Sequence, residues 1–344
     1  MLINMNVPAS GSRRPILWLA GLLLSVLIAP LLTAAEPPPL TLQSGATILT
    51  IARPDAEQGY YRGPRFVWGG MVVQAQWNGH TVFTELKQPH NPVLHDHAAG
   101  ACDEFGIDGA LGYDEAAVGD ATTGGDFLKI GVGALRRTRD KEYFFGHPYP
   151  IVRAGTWTVV TLPSEVRFVQ EFHLNTEWGY RYAKTVSVQA NGFTIHNALS
   201  NRGTKTIVTD HYNHHMFAID QQPIDGTWSL LFGWDVQAKV PQPSFSMTGR
   251  ALALTGPLTQ TLWTDFTWAT APATTVPPTT ALSLHHAASN TAIDIVIDAP
   301  PAKVALYGET RALCPEPFTA IHLEPGQSQS WTTTYTFHPI SAAK

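Results

Sequence analysis

The chain has 344 residues, of which 44% are hydrophobic, and its 22 basic and 27 acidic side chains give a formal net charge of −5 at pH 7. This acidic balance gives no electrostatic reason to bind nucleic acid. The length is enough for one large β domain or two ordinary domains.

The first 35 residues have the layout of a secretory signal peptide. Arg13 and Arg14 precede an apolar run at residues 16–32, and small residues follow at 33–35. An uncleaved N-terminal membrane anchor is the alternative, because the run approaches the ~18 residues that a membrane helix needs. We predict a signal peptide at residues 1–35 and a single domain at residues 36–344. The mature protein is then exported, periplasmic or extracellular, with no stable membrane insertion.

The remaining chain is rich in aromatic, β-branched and turn-forming residues, a composition typical of short strands joined by turns. Alternating patterns predict strands, in chain order, at residues 166–174, 182–189, 193–199, 228–236, 251–254, 261–268, 292–297 and 330–337. Asn191-Gly192 predicts a type I′ hairpin turn between the second and third of these. Residues 271–280 are interpreted as a surface loop. Because helical crossovers are absent from the pattern, we predict an all-β fold, a large antiparallel β-sandwich.

The segment 210–217 is dense in residues that can carry chemistry. If it is a strand, alternation sends its side chains to two faces: Asp210, Tyr212, His214 and Met216 to one, and His211, Asn213, His215 and Phe217 to the other. His214 and His215 therefore cannot share a pocket, and one of them should be structural.

Glu316 lies between two prolines. Pro315 and Pro317 fix the backbone and remove two ladder donors, which predicts that the carboxylate lies on an edge, bulge or loop. A rigidly held carboxylate can act as a general base, because partial burial raises its pKa toward neutral pH. An ordinary surface glutamate in a proline-rich turn is the alternative.

Together these two segments resemble the aldose 1-epimerase, or galactose mutarotase, family. Residues 213–217, Asn-His-His-Met-Phe, are similar to its Asn-His-x-Tyr/Trp-Phe segment, with Met216 in place of the first aromatic residue. Residues 314–317, Cys-Pro-Glu-Pro, and the Leu-Glu-Pro-Gly turn at 323–326 are similar to its C-terminal segment. The resemblance spans the predicted mature chain and implies the galactose mutarotase-like supersandwich, a large antiparallel β-sandwich.

The resemblance also implies an activity, the interconversion of sugar anomers by an isomerase. It implies that His214 is the general acid and Glu316 the general base of ring opening. The partner is a small-molecule sugar, and neither a metal nor an organic cofactor is required. A histidine near pKa ~6.5 and a glutamate with a raised pKa can both exchange protons at neutral pH.

Substrate contacts are expected at Arg65, Glu104, Asp210 and Trp178. The resemblance places the substrate arginine in an early glycine-rich region, where Arg65 is the first candidate and Arg62 the second. Trp178 is a candidate for stacking on a sugar face, because it has charged or glycine neighbours. The family's first-half His-Gly-Phe segment corresponds to residues 104–106, Glu-Phe-Gly, which carry no histidine.

Two other functions fit the same sequence. A carbohydrate-binding protein without turnover is favoured by the missing first-half histidine. An accessory domain of polysaccharide breakdown would need a second catalytic group near Glu316, such as Glu104 or Asp210.

Metal binding is the less favoured interpretation of two further clusters. His95 and His97, with Asp96, could contribute to a zinc site, but the nearby proline and glycine favour solvated loop histidines. A calcium site would use Asp103, Glu104 and Asp108.

The two cysteines, Cys102 and Cys314, are far apart in the sequence. We expect two free buried thiols. A disulfide closing a long loop is the alternative in an oxidising compartment.

Overall fold

The computed structural model describes residues 36–268 and 279–340. All of these residues belong to one compact unit. The predicted signal peptide at 1–35 and most of the predicted loop at 271–280 lie outside the described residues. In the described part of the chain, helices are too short or too polar to cross a bilayer.

Strands dominate the described residues, and their alternating burial follows the apolar alternation of the sequence. The strands are β1 (Leu40–Ser44), β2 (Thr47–Ile51), β3 (Val72–Trp77), β4 (His80–Thr81), β5 (Ala101–Phe105), β6 (Asp126–Lys129), β7 (Gly133–Arg136), β8 (Ile151–Ala154), β9 (Trp157–Thr161), β10 (Glu165–His173), β11 (Gly179–Gln189), β12 (Gly192–Asn201), β13 (Ile207–His215), β14 (Trp228–Phe232), β15 (Val236–Ala238), β16 (Phe245–Thr248), β17 (Ala251–Leu254), β18 (Leu262–Trp268), β19 (Thr280–His286), β20 (Thr291–Ile297), β21 (Lys303–Glu309), β22 (Ala312–Leu323) and β23 (Ser328–Pro339). Short 3₁₀ helices lie at Ile219–Gln221 and Ala287–Ser289.

Within the described ranges the strands form two ten-stranded sheets and a three-stranded sheet. The first sheet has the order β1-β2-β3-β5-β13-β22-β21-β18-β15, with β4 attached to β3. The second has the order β16-β17-β14-β19-β20-β23-β12-β11-β10-β9, and the small sheet is β6-β7-β8. Neighbouring strands pair antiparallel, which confirms the all-β antiparallel prediction.

Each predicted strand is present, with one change at residues 228–236. This segment forms two strands, β14 in the second sheet and β15 in the first. Gly233 lies between them, and its backbone N–H donates to Ala281 O at 2.9 Å. The apolar pattern continues across the break, so it does not reveal that the chain changes sheets here.

The hairpin at Asn191-Gly192 is confirmed, but the predicted type I′ turn is wrong. Its loop is Ala190 and Asn191, and neither has the positive φ that a type I′ turn requires. Gly192 pairs with Gln189 and has φ 148°. A Cβ at Gly192 would lie 1.9 Å from the carbonyl oxygen of Tyr335, so glycine is required by the close approach of β23.

The two large sheets face each other across a core that contains a buried ionic layer. Asp103 on β5 accepts from Asn213 at 2.7 Å, lies 2.9 Å from His211 Nε2, and is ion-paired with Lys184 on β11. Trp331 Nε1 on β23 donates to His211 at 3.1 Å. Burial alone would raise the pKa of Asp103, but Lys184 and His211 lower it to about 2. The carboxylate is therefore charged and fully paired between the sheets.

Removal of Lys184 tests this layer. Lys184→Ala leaves the buried Asp103 carboxylate without its cation, so the free energy of unfolding should fall by about 3–5 kcal/mol. Lys205→Ala is the matched control, because Lys205 forms solvent-exposed ion pairs whose loss should change the free energy of unfolding little. Urea unfolding of both variants gives the comparison, and equal losses would contradict the role of Lys184.

Candidate functional site

The candidate site lies on the face of the first sheet that points away from the second sheet. Strand alternation on β13 places Tyr212 and His214 on this face. His211 and His215 lie on the opposite face, where they contact Trp331 and Tyr335 of the second sheet. The predicted division of β13 into two faces is confirmed.

His215 is the structural histidine of the pair. Its Nδ1 lies 2.5 Å from Pro315 O, and its Nε2 lies 2.8 Å from the hydroxyl of Tyr335. Burial lowers the pKa of His215 to about 4, so its ring is neutral at pH 7. The ring ties β13 to β22 and to the second sheet.

His214 and Glu316 are brought together by cross-strand pairing. Tyr212 pairs with Phe318, and further along Phe217 bridges to Leu313, which is the same antiparallel register. This register sets His214 opposite Glu316, and Nε2 of His214 lies 3.3 Å from Oε1 of Glu316. The side chains are only 4% and 6% exposed.

Glu316 lies neither on an edge or loop, as its flanking prolines predict, nor on the surface, which was the alternative. Glu316 lies inside β22, between β13 and β21, and it is buried. The prolines interrupt the pairing of β22 with β13 but not its pairing with β21. Pro315 and Pro317 pair with β21, while the regular ladder to β13 stops between Phe318 and Leu313. Missing N–H donors thus open a gap in the ladder, and His215 fills it by contacting Pro315 O.

Burial moves the pKa values of the pair in opposite directions. It raises the pKa of Glu316 to about 8, although nearby Arg65 opposes the shift. Burial, with a smaller contribution from Arg65, lowers the pKa of His214 well below 6.5. At pH 7 the closed site therefore holds a protonated carboxyl beside a neutral imidazole. Nδ1 of His214 is buried and has no hydrogen-bond partner among the described residues.

A second group of charges adjoins this pair and is centred on Glu104. Arg65 Nε donates to Glu104 Oε2 at 2.7 Å, and Lys129 Nζ donates to Oε1 at 3.2 Å. The hydroxyl of Tyr212 donates to Oε2 at 2.5 Å and accepts from Arg65 at 2.9 Å. Burial alone would raise the pKa of Glu104, but the two cations lower it, so the carboxylate is charged.

Arg65 is engaged on every side. Besides Glu104 and Tyr212, its guanidinium is ion-paired with Asp96. Its planar faces are covered by the rings of Phe66 and Phe145, whose centroids lie 4.6 and 4.0 Å away. A ligand can therefore reach Arg65 only if Asp96 or Phe145 moves.

The segment that carries Arg65 is fixed to the sheet by its backbone. The N–H of Val67 donates to Asp103 O at 2.9 Å, and the hydroxyl of Tyr61 receives the N–H of Arg65 at 3.3 Å. Glycine is required at position 63, because a Cβ there would lie 2.4 Å from that hydroxyl. The glycine-rich sequence thus lets the chain fold closely enough to aim Arg65 at Glu104.

Four of the six predicted site residues come together, namely Arg65, Glu104, His214 and Glu316. The other two, Asp210 and Trp178, line a separate cavity of about 470 Å³ near Gly112 and Thr206. In that cavity burial raises the pKa of Asp210, and its Oδ1 is buried without a partner in the described part of the chain.

Sequence reasoning missed four residues that complete the site: Tyr212, Asp96, Lys129 and Phe145. Tyr212 carries a usable signal, because it lies two residues before His214 on the same strand face. In the sequence, Asp96 stands out only as a possible metal ligand beside His95 and His97. Lys129 and Phe145 approach from distant segments, and no local pattern marks them.

The described residues contain no cluster of three or more His, Cys, Asp or Glu side chains arranged to hold a metal. Asp103 and Glu104 lie on opposite faces of β5, and each is neutralised by lysine or arginine. His95 Nε2 lies 3.3 Å from Asp96, and His97 accepts from Asn91 N at 3.1 Å.

Cys102 and Cys314 are both free and buried, which confirms the expectation of two thiols. Burial raises the pKa of both groups. Cys102 pairs across strands with His214, so it forms part of the wall beside the site.

Several solved structures have a similar fold at low sequence identity. A galactose mutarotase-like protein from Clostridium acetobutylicum has a TM-score of 0.53 and 14% identity over 87% of this chain and 94% of that one. The aldose epimerase homologue from C. elegans has a TM-score of 0.53 and 15% identity over 88% and 99%. A galactose mutarotase related enzyme from Lactobacillus acidophilus has a TM-score of 0.51 and 11% identity over 88% and 98%.

No family model matches the sequence, and no curated protein matches it. The structural similarity nevertheless extends over nearly the whole length of these chains. The chain therefore has the galactose mutarotase-like β-sandwich fold, which confirms the fold implied by the two sequence segments.

The raised pKa of Glu316 predicts a pH-dependent stability. Between its usual pKa of 4.5 and its native value of about 8, the native state keeps a proton that the unfolded chain has lost. The contribution of Glu316 to stability therefore falls as pH rises through this window and is constant above it. Glutamine does not ionise, so the stability of Glu316→Gln should not show this decrease with rising pH.

The free energy of unfolding of Glu316→Gln should rise relative to wild type by up to about 1.4 kcal/mol per pH unit between pH 5 and 8. Urea unfolding of both proteins at several pH values measures the difference. A difference that does not change with pH would show that Glu316 is ionised in the native state.

Proposed function

We propose that this protein interconverts the anomers of a sugar by acid–base ring opening, with His214 and Glu316 as the proton-transfer pair. The observation that carries the proposal is the 3.3 Å contact between Nε2 of His214 and Oε1 of Glu316, two buried groups whose pKa values burial moves in opposite directions. The similar fold of the aldose epimerase homologue from C. elegans supports it.

The chemistry needs one base and one acid close together, because the anomeric hydroxyl and the ring oxygen are bonded to the same carbon. Starting from the protonation states of the closed site, His214 takes the proton of the anomeric hydroxyl while Glu316 protonates the ring oxygen. The bond between the anomeric carbon and the ring oxygen breaks, and the open-chain aldehyde forms. General acid–base catalysis of this kind contributes typically 10²–10⁴-fold.

Ring closure returns both protons. The bond between the first two sugar carbons rotates, and the hydroxyl that was the ring oxygen attacks the other face of the carbonyl carbon. Glu316 takes the proton of that hydroxyl, and the His214 imidazolium protonates the carbonyl oxygen. These roles are the reverse of those that the sequence resemblance implies. The reversal follows from burial, which favours the neutral form of each group in the resting site.

The neighbouring charges keep this pair in its place. Tyr212, fixed by hydrogen bonds to Arg65 and Glu104, packs with its ring centroid 6.2 Å from that of His214. The positive charge of Arg65 also opposes protonation of His214. The pair is therefore held by groups that need not touch the reacting carbon.

Export to the periplasm or the exterior is part of the proposal, and the layout of residues 1–35 supports it. Expression of the full chain with its natural N-terminus should yield a secreted protein that begins near residue 36, measured by N-terminal sequencing. Retention of residues 1–35 in a membrane fraction would instead favour the anchor.

Activity is tested by polarimetry of freshly dissolved α-anomers of neutral hexoses and hexuronic acids. Wild type should accelerate the approach to equilibrium for at least one sugar, and Glu316→Gln should lower the enzymatic rate by at least about 10²-fold. Glu324→Gln is the matched control, because Glu324 is an exposed glutamate in the C-terminal turn. It should retain wild-type activity.

The pH profile tests the protonation states. The enzymatic rate, corrected for spontaneous mutarotation, should fall as pH rises through about 8, because Glu316 then loses its proton. No acceleration of any tested sugar would overturn the enzymatic proposal. If calorimetry then still showed binding, the protein would be a carbohydrate-binding protein without turnover.

A further inference from the structure

One acidic side chain reaches the charged cluster from a surface loop rather than from a strand. Asp96 lies between β4 and β5, in a segment with exposed neighbours at Val93 and Leu94, and its side chain is 25% exposed. Its partner Arg65 is 5% exposed. The carboxylate thus covers a buried guanidinium from the solvent side.

Among the side chains that are ion-paired directly with Arg65 or Lys129, the charges balance only when Asp96 is present. Arg65 and Lys129 are positive and Glu104 is negative, so these three side chains alone carry one uncompensated positive charge. Asp96 cancels it. Of the other charges nearby, Lys184 is paired with Asp103 on the opposite face and Lys303 with Asp108 at the rim. Asp210 also acts on Lys129, but it lines the separate cavity and forms no ion pair with Arg65.

Removal of Asp96 without replacement would therefore leave two buried cations sharing the single carboxylate of Glu104, which is unfavourable. A neutral hexose can offer hydroxyl oxygens to Arg65 but no charge. A sugar carboxylate offers the same −1 charge and the same two oxygens as Asp96, and it can bind a guanidinium in the same geometry.

The spacing along β13 between Tyr212, which contacts Arg65, and His214 is comparable with the width of a single sugar ring. Tyr212 contacts Arg65 through its hydroxyl, and it lies two residues from His214 on one strand face, about 6.6 Å along β13. In a hexuronic acid the carboxylate stands on the carbon next to the ring oxygen. Its position is thus within one ring of the anomeric carbon that His214 and Glu316 would act on.

Asp96 and Phe145 also close the site. Phe145 covers one face of Arg65, and its ring centroid lies 6.4 Å from that of His95, next to Asp96. His95 Nε2 is 3.3 Å from Asp96 Oδ2. These two loop segments meet above the buried cluster, so displacement of Asp96 would open the path to Arg65.

We propose that the site takes an anionic sugar of the hexuronic acid class, whose carboxylate replaces Asp96 on Arg65. Asp96 is then an internal competitor that neutralises and covers the empty site. This inference rests on the proposed function for the position of the sugar ring, but its binding test is independent of turnover.

Calorimetry with glucuronate, galacturonate, glucose, galactose and glucose 6-phosphate tests the proposal. Wild type should bind one of the hexuronates at least about 10-fold more tightly than the corresponding neutral hexose, as expected for a hydrogen-bonded charge pair. A preference for the neutral sugar would overturn the proposal. Tighter binding of glucose 6-phosphate than of both hexuronates would overturn the assignment to a carboxylate.

Asp96→Asn provides the sharper test. Removal of the competing carboxylate should tighten hexuronate binding about 10-fold or more and raise the ratio of hexuronate to hexose affinity. Asp235→Asn is the matched control, because Asp235 forms an exposed pair with Arg250 far from these residues in sequence. It should leave both affinities unchanged.

Asp96→Glu distinguishes the loss of the carboxylate charge from a general disturbance of the structure at position 96. It keeps the charge and should keep the wild-type ratio of hexuronate to hexose affinity. An unchanged ratio in Asp96→Asn would contradict the role of Asp96 as competitor. If Asp96→Asn does not fold, the wild-type preference among the five sugars still decides the proposal.

Anomer exchange measured by NMR on the same sugars separates this inference from the proposed function. Acceleration of neutral hexoses alone would overturn the inference and leave the isomerase proposal standing. Hexuronate binding that responds to Asp96, without faster exchange of any sugar, would support the inference and overturn the isomerase proposal.

Discussion

The structure depends on two consecutive buried carboxylates on β5, each neutralised on a different face of the sheet. Asp103 points toward the second sheet and is paired with Lys184, while Glu104 points away from it and is paired with Arg65 and Lys129. A buried carboxylate without a cation would be too costly to keep charged. The face of β5 that carries Asp103 therefore joins the two sheets, and the face that carries Glu104 organises the candidate site.

The same alternation of faces continues on the neighbouring strand, β13. β13 lies beside β5, so Tyr212 and His214 share the face of Glu104, while His211 and Asn213 share the face of Asp103. Consecutive residues of β13 are polar because both faces of the strand contact charged groups. A dense polar segment in the centre of a sheet is thus explained without solvent exposure.

Much of the fold could be predicted from the sequence, because it depends on local alternation. The strands, the two faces of β13 and the pairing of His214 with Glu316 were all accessible, the last through the family resemblance. The turn at Asn191-Gly192 was mistaken because its glycine is required by a strand that is distant in sequence, β23. The position of Glu316 in a central strand is not predictable from its flanking prolines, because prolines are normally confined to edges, bulges and loops.

The rest of the site could not be predicted for a common reason. Three of the site residues, Lys129, Asp96 and Phe145, come from separate segments of the chain. Lys129 is ion-paired with Glu104, Asp96 is ion-paired with Arg65, and the ring of Phe145 covers Arg65. A single lysine or aspartate in a loop has many other uses, and sequence gives no measure of charge balance inside a folded protein. The charge balance around Glu104 can be counted only once the structure shows all of its ion-pair partners and theirs.

Charge balance at Arg65 also links ligand binding to proton transfer. The positive charge of Arg65 lowers the pKa values of both His214 and Glu316, while Asp96 acts on His214 in the opposite direction. If Asp96 left and no anion replaced it, Arg65 would favour loss of the proton of Glu316. An anionic group in its place restores the opposing charge. In the proposed reaction, an anion that replaces Asp96 on Arg65 would therefore also restore the charge that opposes the effect of Arg65 on the pKa of His214, whereas a neutral ligand would not.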